Sequence, residues 1–135
     1  MNLPSYETCQ RLAAAGWPQD VNGPTREWWI RNRTTAPWFG DHSDVVNLVG
    51  DPDIQFVAAP CIDEMLAEIE RQSWGMALTR YCGIGPCYVE INCQPGISYR
   101  VTHLDATEAL ALVLCEALEW FARFGGHAPE QGDPR

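Results

Sequence analysis

Apolar residues recur along this chain with two periods, and the switches between them outline its elements. Near the N-terminus, Cys9, Leu12 and Ala13 fall on one face of a helix running to Ala15. Ser5 is placed to cap it, Gly16 to end it, and Pro18 follows the break. Residues 27–33, Glu-Trp-Trp-Ile-Arg-Asn-Arg, read as a strand. Trp28 and Trp29 are consecutive there, so they point to opposite faces. One is expected in the core and the other exposed or covered by the following segment. Residues 34–53 hold no sustained period and are expected to be irregular. Within them Val45–Val49 is too short for periodicity to separate helix from strand.

A short strand is predicted over Ile54–Ala58. A helix follows, with Pro60 suited to its first turn because the missing N–H has no intrahelical partner there. Ile62, Met65, Leu66 and Ile69 form its apolar stripe. Asp63 and Glu64 sit near the positive end of that helix, and Glu68 and Glu70 lie off the stripe and are expected to face water. Three strands come next, Met76–Cys82, Cys87–Cys93 and Ile97–Thr102. Their connections are short and turn-rich, which favours antiparallel hairpins. Asp105 and Glu108 form a capping-box pattern ahead of the longest helix. Leu110, Val113, Leu114, Ala117, Phe121 and Phe124 are its stripe, and Gly125-Gly126 its stop. The summed expectation is an α+β fold with one antiparallel sheet of about four strands. Two to three helices would cover one face, the long C-terminal helix among them. Residues 1–135 are expected to form a single domain, with 126–135 a frayed tail.

Charge changes this picture. The chain carries a formal net charge of −9. Residues 41–70 hold eight acids and no Arg or Lys, whereas the other 105 residues hold ten acids against nine Arg. Such a band repels nucleic acid and membrane surfaces and attracts basic ones. Asp51, Asp53, Asp63, Glu64, Glu68 and Glu70 are therefore the candidate partner-binding residues, and direct binding of nucleic acid is not expected. There is no Lys, so Schiff-base chemistry and a P-loop lysine are excluded. No apolar run approaches the roughly 20 residues that span a bilayer, and Met1–Leu12 lacks the apolar core of a secretory signal. A cytoplasmic location is expected. The six Cys then read as thiols rather than a disulfide framework.

Few residues suggest chemistry. Cys82, Cys87, Cys93 and His103 do not have the spacing of a zinc knuckle, so no metal ligands are assigned. Cys61, near a helix N-terminus, is the best candidate for a reactive thiol, with His42 or His103 as the only bases to consider. Nothing in the sequence brings either beside it, so no catalytic residues and no cofactor are expected. Asp41-His42-Ser43-Asp44 reads as a polar loop in which Ser43 caps a short helix. Gly83-Ile84-Gly85 followed by Pro86 is a hairpin turn, not a dinucleotide fingerprint. Trp29, Trp38, Arg31 and Arg33 are an alternative ligand set, able to stack a base and hold a phosphate in a pocket between subunits of a homodimer.

The run from Phe56 to Leu66 contains Ala-Ala-Pro ahead of an acidic helix, and residues 105–112 contain Thr-Glu-Ala-Leu. Over residues 54–124 this arrangement resembles small phage and prophage accessory proteins. The resemblance implies a non-enzymatic binding protein, including the class that inhibits host defence in an anti-CRISPR-like manner. Its partner would be a host protein with a basic surface, met in the host cytoplasm. A nucleotide sponge and a zinc-binding structural protein are the other two expectations.

Overall fold

Ser5 begins the first helix as expected. The structure, a computed structural model, describes residues 3–80 and 86–124. In α1 (Tyr6–Ala15) the Ser5 hydroxyl accepts from Thr8 N at 3.2 Å. Gly16 closes the helix at φ 114°, a left-handed conformation that a side chain would strain. Its N–H donates to Ala13 O, and Trp17 N–H donates to Leu12 O.

The sheet differs from the expectation. Six strands form two three-stranded antiparallel sheets rather than one sheet of about four. The first has the order β2 (Trp38–Asp41), β1 (Glu27–Asn32), β3 (Ile54–Ala58). The second is the meander β4 (Gly75–Arg80), β5 (Cys87–Gln94), β6 (Ile97–His103). The region expected to be irregular supplies β2 and the seven-residue helix α2 (His42–Leu48). The cap of α2 is Asp41, not Ser43. Asp41 Oδ1 accepts from Asp44 N, and Asp44 Oδ2 accepts from Asp41 N, a reciprocal pair that satisfies both ends of the first turn.

The longest helix is α4 (Ala106–Phe124), and it lies against the second sheet. Beyond the predicted stripe, Thr107, Ala109, Ala111, Cys115, Leu118 and Trp120 are also buried. A helix apolar around most of its circumference needs partners on several sides. It packs on β5, β6, α1 and α3 (Ile62–Arg71). The expected stripe is right at Leu110, Val113, Leu114 and Ala117, but Phe121 turns to the surface and stacks edge-on against Trp74. One core cluster joins residues of all four helices and both sheets, with Trp28, Ile30, Met65 and Leu114 among its fully buried members. Each such side chain contributes roughly 1.5–3 kcal/mol through burial.

Glu108 also departs from its expected role. Asp105 does cap α4, accepting from Thr107 N at 2.9 Å, but its own N–H donates to His103 Nδ1 at 3.0 Å. The Glu108 carboxylate crosses instead to α1. There it accepts from Ser5 N at 2.8 Å, from the Ser5 hydroxyl at 3.1 Å and from the Thr8 hydroxyl. An orphan N–H of one helix is thus satisfied by the side chain of another. Cys82, the turn glycines 83 and 85, the Gly125-Gly126 stop and the 126–135 tail lie outside the described residues.

Candidate binding face

The acids of residues 41–70 divide into those used inside the fold and those that face water. Glu64 belongs to the first group. Its Oε1 accepts from Cys61 N at 3.0 Å and its Oε2 from Arg26 Nε at 3.1 Å, and the side chain is 10% exposed. It caps α3 and ties that helix to the start of β1. Glu68, expected to face water, is 14% exposed. Burial pushes its carboxyl up, but the hydrogen bonds from Arg71 and Gln72 outweigh that and hold it below the usual carboxylate range. The sequence reasoning missed this because the 68–71 pair on one helix ridge looks the same whether buried or exposed. Asp53 accepts from Arg33 Nη2 at 2.7 Å, but that pair is well exposed and worth little to stability. Asp51 accepts from Asp53 N at 2.9 Å.

Asp63 and Glu70 form the second group. They lie seven residues apart with exposed Ala67 between them, which puts all three on one ridge of α3. Among the described residues neither carboxylate makes an ion pair. No Arg or Lys occurs between Arg33 and Arg71 in the sequence. Asp41, Asp44 and Asp51 are also exposed, so they add to the same negative field even where they cap or turn the backbone.

A cavity of about 650 Å³ joins the first turns of α2 and α3. Arg26, Glu27, Asp41, His42, Cys61 and Glu64 line it. The fold therefore brings His42 to the cavity that holds Cys61, a neighbourhood not legible across 19 residues of sequence. Arg26 Nη2 lies 3.9 Å from Cys61 Sγ, whereas His42 Nε2 pairs with Asn22 Oδ1 at 3.1 Å. His103 is elsewhere, opposite Cys87 on the second sheet. Cys9, Cys87 and Cys115 are buried, and burial pushes the Cys93 thiol up to about 11. Among the described residues no three His, Cys, Asp or Glu side chains gather as a metal site would need.

Of the alternative ligand residues, Arg31 and Arg33 line one pocket with Asp53 and Gln55, whereas the two Trp are set apart. Strand register sets Trp29 opposite Phe39 and Ile30 opposite Trp38. Directly opposite residues share a face and neighbours alternate, so Trp29 and Trp38 lie on opposite faces of the first sheet. On the outer face Phe39 stacks on Trp29 with ring centroids 3.8 Å apart, and Tyr6 meets Trp29 edge-on. Trp29 Nε1 donates to Pro4 O at 2.9 Å. The Arg31 guanidinium lies over the Tyr6 ring, and Arg33 is engaged with Asp53. Trp28 fills the core on the inner face.

Comparison with family models, curated proteins and solved structures finds no match to this chain. The resemblance to phage accessory proteins rests on its sequence motifs alone. Among the described residues no helix is long and apolar enough to cross a membrane.

Proposed function

We propose that this is a non-enzymatic binding protein that docks onto a basic protein surface through its acidic face. The observation that carries the reading is the exposed Asp63–Glu70 ridge, without an ion pair among the described residues and within a stretch from 34 to 70 that contains no Arg or Lys. Opposite charge on a partner would speed association and select against wrong partners. Glu64 and Glu68 contribute to the field but are committed to Arg26 and Arg71. The working contacts are therefore Asp51, Asp63 and Glu70, with Asp53 shared with Arg33. A host defence nuclease or its complex, the partner class implied by the phage resemblance, presents such a basic surface and is the first target to try.

The test uses a fluorescent oligolysine peptide as a stand-in for that surface. Its binding should weaken steeply from about 0.1 M to about 1 M ionic strength, as the Debye length falls from about 10 Å to about 3 Å. Asp63→Arg with Glu70→Arg should abolish the low-salt binding and leave the circular dichroism spectrum unchanged. Reversing Glu64 or Glu68 would be a poorer test, because it also removes a helix cap or an internal ion pair. Binding that is insensitive to salt, or that survives the double reversal, would overturn the reading.

A further inference from the structure

The exposed apolar side chains are not scattered. Among the described residues six large hydrophobics are exposed, and four of them fall on β2 and α2 or its C-terminal cap. They are Trp38 at 40%, Phe39 at 44%, Val46 at 49% and Val49 at 57%. The fold explains why they are left outside. The helix α2 turns Val45 and Leu48 inward, and Val46 and Val49, three apart, take the outward side. The strand β2 is the edge of its sheet, so only β1 pairs with it. A seven-residue helix is about 10 Å long and a four-residue strand about 13 Å. Strand alternation puts Trp38 and Gly40 on the face that α2 covers and Phe39 on the opposite face, so Trp38, Val46 and Val49 lie on one side of the sheet.

That surface is also acidic. Asp41 and Asp44 stand between Phe39 and Val46 in the chain, and Asp51 follows Val49. The reciprocal cap at the start of α2 holds both aspartates in place without neutralising either. The cavity beside the first turn of α2 connects it to α3, which carries Asp63 and Glu70. Exposed apolar groups rimmed by one sign of charge are a common form of protein-docking site.

We infer that β2 and α2 dock a cationic segment of the partner that carries apolar side chains along one side. The apolar anchors would cover Trp38, Val46 and Val49, and flanking Lys or Arg would meet Asp41, Asp44 and Asp51. This inference rests on the acidic-face reading and narrows it. Charge alone is not sufficient for the partner, and the contact centres on residues 38–51 rather than on α3 alone. Neither a bare polycation nor an uncharged apolar segment satisfies this surface.

Two peptides of equal charge separate the cases. One is a Leu/Lys amphipathic helix of about eighteen residues, roughly 27 Å long. The other is the oligolysine used above. Wild-type protein should bind the Leu/Lys peptide more tightly. Val46→Ser with Val49→Ser should weaken that binding by about tenfold or more and leave oligolysine binding within about twofold. Val46→Thr, which keeps the side-chain shape, should weaken it by about threefold and guards against a folding defect in the double variant. Leu104→Ser, at an equally apolar but 74% exposed site after β6, should have no effect. If the valine variants bind the Leu/Lys peptide as wild type does, or Leu104→Ser loses as much, the β2–α2 site is wrong and the acidic face stands. If oligolysine binds as tightly as the Leu/Lys peptide, the same conclusion holds. If neither peptide binds wild-type protein, both readings fail.

Discussion

At Gly40 the register of the first sheet leaves no room for a side chain. A Cβ there would collide with Ile30 Cδ1 and stand 3.0 Å from Asp44 Oδ2, so Gly40 is where α2 can lie close against β2. Gly40→Ala should cost about 1–3 kcal/mol by overpacking, measured by urea denaturation. Ile30→Val removes the obstructing Cδ1, so the same glycine substitution in that background should cost less. Equal costs in both backgrounds would show that strain at Gly40 does not come from Ile30. The sequence gives no hint of this role, since an isolated Gly marks either a turn or a close approach. Other residues were legible. Ser5 and Gly16 announced the ends of α1 because caps are local chemistry. Glu64 looked like a free acid because its cationic partner, Arg26, is 38 residues away.

Elements defined by long periodic stripes were the readable ones. The spans of α1, α3 and α4 follow their stripes, and β5 follows its alternation of Cys87, Val89 and Ile91 against polar residues. The four-residue β2 was not readable, because so short a run carries no period. Nor was the stop of α3. It ends on Ser73 at φ 61°, with Ser73 N–H bonded to Glu70 O and Trp74 N–H to Ile69 O, a left-handed closure that usually announces itself with Gly. Contacts between elements were hidden too. Arg11 on α1 holds Glu119 on α4 in a two-pronged pair at 2.8 and 2.9 Å. That hydrogen bonding keeps the Glu119 carboxyl below the usual carboxylate range. The lowered folded-state value means the unfolded chain binds the proton more readily. The pair's contribution is therefore present above the ordinary carboxylate range near pH 4 and is lost as pH falls through the lower folded value. Glu119→Gln should reduce stability modestly at neutral pH, since the pair is over a third exposed, and make the acid-side decline shallower. An unchanged acid-side slope would remove Glu119 from that decline.

At the scale of the molecule, the class α+β was legible and the division into two sheets was not. Pairing of β1 with both β2 and β3 depends on contacts between distant segments, which no local pattern encodes. The burial of α4 on nearly every side was hidden too, because its Ala109, Ala111 and Cys115 looked neutral beside the obvious Leu/Val stripe. The acidic band was legible as composition. Its division into internal carboxylates and an outward ridge emerged only with Arg26 and Arg71 in place. The apolar surface on β2 and α2 was hidden for the same reason that those elements were. One measurement tests the resulting account most directly: amide chemical shifts of labelled protein titrated with the Leu/Lys peptide. The account predicts shifts concentrated at residues 38–53 and along the Asp63–Glu70 ridge, with the second sheet little changed. Absence of shifts, or shifts confined to β4, β5 and β6, would contradict it.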